Sequence, residues 1–110
     1  MATDAGMDHV NRTLRCLLHC ALHRRTIRLS CPACQRIRRF DAVALWWLFE
    51  RRHEDDGIPE VFRRMYCAEC HRAGKLVRPR WAITEEPPDL KQPPYPDERE
   101  WKRQVSRYRS

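Results

Sequence analysis

Two cysteine pairs with the same internal spacing are the residues of this sequence with the most specific chemistry. The pairs are Cys31 with Cys34 and Cys67 with Cys70, and each has two residues between its cysteines. A Cys-x-x-Cys turn presents two sulfurs to one ion, and two such turns complete the tetrahedral shell that structural zinc prefers. Because protein sulfur then fills all four positions, none is left for water or a substrate. The spacing predicts one structural Zn²⁺ and no catalytic metal.

Dithiol redox chemistry is a minor alternative for the first pair. Its sequence, Cys-Pro-Ala-Cys at residues 31–34, has the form found in glutaredoxin-like active sites, where it opens a helix. No strand-helix-strand pattern surrounds this pair, and a second pair is available to share a metal. Chance spacing of unrelated thiols is the other alternative that the sequence leaves open.

The residue after each pair departs from the usual zinc-binding turn. Such turns commonly carry glycine directly after the second cysteine, where φ is positive and other residues are strained. This chain has Gln35 and His71 at those positions, and Gly74 follows only later. Gly74 can relieve strain at the second turn alone.

Two further cysteines raise the alternative of a second metal site. On a helix, His9, Cys16, Cys20 and His23 point within about 40° of one direction. However, ligands on one straight helix do not close around a single ion, and free cysteine packs well as a small apolar residue. We therefore expect Cys16 and Cys20 to pack or to lie at the surface.

Hydrophobic periodicity predicts the elements that position the first pair. Residues 7–23 carry apolar residues at helical spacing, which indicates an amphipathic helix. Residues 25–30 alternate between apolar and polar side chains and run into Cys31 as a strand. Residues 36–40 are predicted to return as its partner strand, and Asp41 can cap a helix over residues 42–52.

The second pair is approached through a shorter predicted helix. Pro59 suits the first turn of this helix. The helix leads the chain to Cys67. Beyond Cys70, residues 76–83 alternate again as a strand, and Pro79 restricts it to a sheet edge.

The composition changes at residue 85, where a proline-rich stretch without core residues predicts a semi-rigid tether. Asp97 and Glu100 then form a capping-box pattern for a short terminal helix. The fold class predicted is a small α+β zinc-binding domain, zinc-ribbon-like, with two Cys-x-x-Cys knuckles, short antiparallel strands and helices inserted between the knuckles. Its parts are an N-terminal amphipathic helix (1–23), the zinc-ribbon-like domain (24–84), the tether (85–96) and the C-terminal helix (97–110).

The chain is basic, with a formal net charge of +7 from 22 basic and 15 acidic residues. Basic residues cluster around both cysteine pairs, which predicts a phosphate-binding face near the metal with Trp81 available for stacking. Acidic residues such as Glu69 interrupt the positive charge of this face. The alternative is that the arginines are only the solvent-exposed side of half-buried strands and bind no ligand. The residues predicted to bind nucleic acid are Arg25, Arg28, Arg36, Arg38, Arg39, Arg72, Lys75, Arg78 and Arg80.

A protein partner, or a second copy of the chain, is the alternative to nucleic acid. The predicted helix at residues 42–52 is apolar on more than one face and needs cover on two sides. The N-terminal helix can supply this cover; otherwise exposed aromatic residues would anchor a partner. The residues predicted for such contacts are Trp46 and Trp47, with Trp101 and Tyr108 on the terminal helix.

Several classes of protein are disfavoured. The longest apolar run covers residues 42–49, far short of the roughly 18 residues that a membrane span needs, and no secretory signal is recognisable. A cytoplasmic location is expected, where thiols stay reduced. With 3 glycines and no recognisable catalytic spacing, the chain is predicted to be neither an enzyme nor a binder of small-molecule substrates.

One family shares this pattern. Residues 25–80 combine a strand, Cys-Pro-x-Cys, a helix rich in Ala, Leu and Trp, an Arg-Arg segment, Cys-x-x-Cys and a closing basic strand. In these features the chain resembles small zinc-ribbon-like proteins of alphaproteobacteria, and residues 97–110 are similar to the tail of some of them. The resemblance implies the fold and the metal but no activity. Zinc ribbons in general serve transcription and translation, which is an analogy of fold.

Overall fold

The structure, a computed structural model, describes residues 14–109. The first 13 positions, which include most of the predicted N-terminal helix, and residue 110 lie outside the described residues. The described elements, in chain order, are α1 (Leu17–Leu22), β1 (Thr26–Ser30), β2 (Ile37–Asp41), α2 (Ala42–Arg51), α3 (Ile58–Arg64), α4 (Ala68–Arg72), β3 (Arg80–Thr84) and α5 (Glu98–Arg109).

The three strands form one antiparallel sheet in the order β2-β1-β3. The central strand, β1, places Ile27 opposite Phe40 on one side and Ile83 on the other. Ile27 and Leu29 are both buried because their face of the sheet points to the core. The small α+β class and the short antiparallel strands predicted from the sequence are confirmed, although β3 begins only after Pro79, which cannot donate to a ladder.

α2 is covered on two sides, as its all-round apolar sequence requires. Asp41 caps it, since its carboxylate accepts a hydrogen bond of 2.9 Å from the backbone N–H of Val43. α1 packs against one side of α2, and the other apolar residues of α2 join the same core cluster as β1 and α3. Trp46 is only 2% exposed, so it contributes to the core and offers no surface to a partner.

Residues 14–16, directly before α1, are not helical, whereas the sequence predicted helix from residue 7 onward. Cys16 forms a β-bridge with Gly57, and the N–H of Ile58 donates to the carbonyl of Arg15 at 2.9 Å. The carboxylate of Asp56 accepts a hydrogen bond of 3.2 Å from the N–H of Leu18 in the first turn of α1. These contacts with a segment distant in sequence override the helical periodicity at residues 14–16, where the predicted helix was wrong.

Residues 85–95, here called the return segment, lie along the sheet instead of forming the predicted tether. The N–H of Asp89 donates to the carbonyl of Arg39 at 3.0 Å, and the Asp89 carboxylate accepts from the N–H of Arg39 at 3.0 Å. The side chain of Gln92 accepts from the N–H of Asp41 and donates to the carbonyl of Arg39. The outer edge of β2 is thus covered at these positions, which prevents pairing with another chain there.

The C-terminal helix α5 docks on the core. Its predicted cap is present, because the Asp97 carboxylate accepts from the N–H of Glu100 at 2.7 Å. The ring of Trp101 lies edge-on to Trp46 with 5.6 Å between centroids, and the guanidinium of Arg24 lies 5.6 Å from the Trp101 ring. Trp101, predicted as a residue for partner contact, therefore packs within its own chain. None of the helices in residues 14–109 is long and apolar enough to span a membrane.

This docking predicts the effect of a substitution in α5. Replacing Trp101 with alanine should lower the free energy of unfolding by about 2 kcal/mol, roughly half the cost of removing a fully buried aromatic ring. Tyr108→Ala is the matched control, because Tyr108 is 55% exposed and its loss should change stability by less than about 0.5 kcal/mol. Urea unfolding followed by circular dichroism measures both. Equal, small effects of the two substitutions would show that α5 does not dock.

Candidate metal centre

The first cysteine pair lies on the turn between β1 and β2. The N–H of Cys31 donates to the carbonyl of Arg36, and the N–H of Gln35 donates to the carbonyl of Cys31, both at 2.9 Å. These bonds close the turn and direct both sulfurs to one side. Gln35 has φ 63°, the left-handed conformation that the sequence pattern expected at a position usually held by glycine. The expected strain is therefore present at the first turn.

The second pair is built differently, because it opens a helix. Cys67 is the residue before α4, and Cys70 lies within that helix. The N–H of Cys67 donates to the carbonyl of Val77 at 3.0 Å, which ties the turn to the segment that leads into β3. His71 lies inside α4, and the left-handed residue is Gly74, at φ 82°, just beyond the helix. The first turn thus belongs to a strand hairpin, whereas the second turn belongs to a helix.

The two turns bring four sulfurs together. The Sγ atoms of Cys31, Cys34, Cys67 and Cys70 all lie within 4.8 Å of one another. The shortest separations join one turn to the other, at 3.6 Å for Cys31 to Cys70 and 3.6 Å for Cys34 to Cys67. A tetrahedral ion with metal–sulfur bonds of about 2.3 Å requires sulfurs about 3.8 Å apart. The arrangement fits a four-coordinate metal ion.

The environments of the sulfurs differ. Cys31 and Cys70 are 5% and 7% exposed, whereas Cys34 faces solvent. The backbone N–H of Cys34, 3.4 Å from the Cys31 sulfur, lowers the pKa of Cys31 to about 6. Burial raises the pKa of Cys70 to about 12. Because four thiolates this close repel one another, a bound cation is what would keep all four ionised.

Cys16 and Cys20 do not join a comparable cluster. Cys20 is fully buried in the core, and burial raises its pKa to about 12. Within residues 14–109, the four-cysteine group is the one set of three or more potential ligands close enough for a metal. His9, one of the four candidate ligands of the alternative site, lies outside the described residues. Cys20 thus packs as a small apolar side chain, in agreement with the expectation.

Four of the predicted nucleic-acid-binding residues are engaged by carboxylates. Arg25 pairs with Glu85 at 2.7 Å, and Arg28 and Arg39 both pair with Glu86, at 2.6 and 3.0 Å. The hydrogen bond from Arg39 is the main cause that lowers the pKa of Glu86. These acids belong to the return segment, which neutralises the adjacent polar face of the sheet. The fourth residue, Arg72, pairs with Glu69 in α4 at 2.8 Å.

The other predicted cations surround the cysteine turns and, among residues 14–109, have no carboxylate within 4.0 Å. Arg38 lies over the Phe40 ring with its guanidinium 4.6 Å from the centroid. Arg78 donates to backbone carbonyls of Arg63 and Met65. This group, here called the free cations, comprises Arg36, Arg38, Lys75, Arg78 and Arg80.

The predicted aromatic residues are partly used inside the protein. Trp81, proposed for base stacking, already stacks on Phe62 with 4.1 Å between ring centroids, although it is 46% exposed. Trp47 is half-buried, 5.7 Å from the Trp46 ring. Tyr108 remains exposed, edge-on to His19. Of the aromatic residues predicted for contact with a partner, Trp46 is buried, Trp47 and Trp101 are half-buried, and Tyr108 is exposed.

A groove that the sequence analysis missed runs between β2 and the segment that precedes α4. Its volume is about 310 Å³. Leu29, Phe40 and Met65 form its buried or half-buried floor, and exposed side chains form its rim. The position of Tyr66 next to Cys67 was the available signal, but only the folded chain shows that Tyr66 lines the same groove as Arg36 and Arg38. The exposed rim comprises Arg36, Ile37, Arg38, Tyr66 and Ala68, and Cys31 and Cys67 of the metal centre also line the groove.

Comparison of the chain with known proteins finds no matching family model, no matching curated protein and no matching solved structure. The resemblance to alphaproteobacterial zinc-ribbon-like proteins stays a prediction.

The different construction of the two turns predicts opposite effects of one substitution. Gln35→Gly should raise the free energy of unfolding by up to about 1 kcal/mol, because glycine adopts a positive φ without strain. His71→Gly, at the same place after the second pair, should lower it by about 1 kcal/mol, because glycine weakens a helix interior. Thermal unfolding of the metal-loaded proteins measures both effects. Changes of the same sign would mean that the two turns are equivalent.

Proposed function

We propose that this protein is a non-enzymatic module in which one structural zinc ion holds a basic surface that binds nucleic acid. The observation that supports the metal is the convergence of four sulfurs within 4.8 Å. Four thiolates in a tetrahedron suit zinc or an iron–sulfur centre, and isolated single-ion sites of this kind are typically zinc. With all four positions filled by the chain, the ion has a structural and not a catalytic role.

Zinc contributes to folding through the segments it joins. α4 has five residues, too few to form a stable helix alone, and it packs mainly through Cys70. A structural zinc ion provides binding free energy on the order of 10 kcal/mol, which would hold α4 and the preceding segment against the sheet. Such a four-thiolate site suits a reducing compartment, in keeping with the expected cytoplasmic location.

Nucleic acid is favoured as the partner by the charge around the site. A divalent ion with four thiolates has a formal charge of −2, and the five free cations outweigh it. Repeated positive charges that no carboxylate among residues 14–109 neutralises match the repeated charges of a phosphate backbone. The proposed binding surface is smaller than the basic face predicted from the sequence. It leaves out four arginines that are already paired with carboxylates: Arg25, Arg28, Arg39 and Arg72.

The two alternatives have less support. A protein adaptor would use the aromatic residues of α2 and α5, but Trp46 and Trp101 pack against each other. Dithiol redox chemistry would use Cys31 and Cys34 at the start of a helix, but these residues lie on a turn between strands and share their surroundings with two more thiols.

Metal analysis tests the first half of the proposal. The purified protein and its Cys16→Ser variant should each carry one zinc ion per chain. Cys34→Ser removes a metal ligand. It should therefore weaken zinc binding by more than roughly 100-fold, the upper end of the loss seen when only a hydrogen-bond partner of a ligand is removed. Elemental analysis and competition with a chromogenic chelator measure these values. A wild-type protein free of zinc, or equal losses in both variants, would contradict the metal assignment.

The salt dependence of binding tests the second half. For a labelled single-stranded 20-mer, the logarithm of affinity should fall with the logarithm of salt concentration by about 0.7 per phosphate contact. Arg36→Ala should reduce this slope by about 0.7, whereas Arg28→Ala should leave it unchanged because Glu86 neutralises Arg28.

Fluorescence anisotropy from 50 to 300 mM salt provides the slopes. Binding without salt dependence, together with elution of the protein as a dimer, would favour the protein-partner alternative. Equal slope changes in the two variants would contradict the proposed surface.

A further inference from the structure

The groove beside the metal centre has the dimensions and the floor of a ligand site. Its volume, about 310 Å³, lies at the lower end of the range for small-ligand pockets. The floor residues Leu29, Phe40 and Met65 are apolar. One flat, largely apolar group of modest size would fit such a space.

Two planar side chains border this space. The guanidinium of Arg38 lies 4.6 Å above the Phe40 ring, so the ring orients it. Tyr66 is 48% exposed and is positioned by a ring contact of 4.7 Å with His71. Unstacked nucleic-acid bases bind in this way, on aromatic rings and on guanidinium planes.

The charge of the rim suits the phosphates on either side of such a base. Arg36 and Arg38 line the groove and belong to the free cations. Arg78 is close by, since it donates a hydrogen bond of 3.5 Å to the backbone carbonyl of Met65. Glu69 is the one carboxylate among residues 14–109 that lines the groove, and it is paired with Arg72 at 2.8 Å. A phosphate on either side of the base would meet positive charge.

An extended peptide is a poorer occupant. Peptides that bind along a sheet pair with a free strand edge. The edge of β2 is already hydrogen-bonded to Asp89 at Arg39 and to Gln92 at Asp41. A peptide in the groove would therefore lack main-chain partners at these positions.

We infer that the groove between β2 and Met65–Tyr66 binds one unpaired base of single-stranded nucleic acid, with Arg36 and Arg38 on the adjacent phosphates. This inference rests on the proposed function and specifies its substrate class. A base inside a duplex is stacked and paired and cannot enter the groove, so the protein prefers single strands.

Substitution of the exposed ring tests the inference without disturbing the core. With a labelled U-rich single-stranded 12-mer, Tyr66→Ala should weaken binding at least about fivefold, the effect of losing one base-stacking contact. Tyr66→Phe should retain wild-type affinity. Tyr108→Ala removes a similarly exposed ring on α5 and should leave binding unchanged, so it is the matched control.

The base requirement is tested with a 12-mer of the same length that lacks bases. Wild-type protein should bind this backbone at least about fivefold more weakly than the U-rich strand, and Tyr66→Ala should bind both alike. Photocrosslinking of a 4-thiouridine strand should label the groove, as located by mass spectrometry.

Other outcomes separate the two proposals. Salt-dependent binding that is equal for the two strands and unaffected by Tyr66→Ala would overturn the groove inference and leave the proposed function standing. Absence of any nucleic-acid binding would overturn both. Competition by polyglutamate as effective as that by the U-rich strand would also overturn the inference, because it would show a site for any polyanion, acidic peptides included.

Discussion

The repulsion among four sulfurs held within 4.8 Å is the constraint on which the rest of the structure depends. Four thiolates at this distance are unstable without a cation, and four thiols would leave the approach of the two turns without a driving force. The elements that carry the turns are otherwise weakly joined, since α4 buries little more than Cys70. A metal ion bound to the four sulfurs, as we propose, would also fix where the chain before and after α4 lies. It would in this way organise one end of the sheet.

The return segment covers an exposed edge at the opposite end of the same sheet. A three-stranded sheet exposes two edges, and the outer edge of β2 is covered at Arg39 and Asp41 by backbone and side chains of residues 85–95. The same segment carries Glu85 and Glu86, which pair with arginines on the polar face. Positive charge is thus neutralised where the sheet is covered, whereas the free cations near the cysteine turns have no carboxylate partner among residues 14–109. The two halves of the predicted basic face therefore differ in net charge.

Local signals in the sequence were sufficient where a few neighbouring residues determine the structure. The Asp41 cap, the strand before Cys31 and the cap of α5 follow from residues within one turn of each other. Distant contacts were not predictable: the return segment reads as a tether because its partners on β2 are some 50 residues away. The end of α2 was predicted to within one residue, although His53 adopts a left-handed φ of 53° where glycine is the usual signal. The four ligands were predictable because their spacing alone indicates the chemistry.

The metal centre and the groove are linked through the covalent chain. Met65 and Tyr66 directly precede Cys67, and Arg36 and Arg38 follow Cys34 by two and four residues. Each wall of the groove is therefore the continuation of one cysteine turn. In the zinc-bound protein that we propose, the ion joins the two turns and so sets the distance between the walls, and two of its ligands, Cys31 and Cys67, line the groove themselves. A closed, four-sulfur centre can in this way set the width of the proposed binding groove without offering an open coordination position.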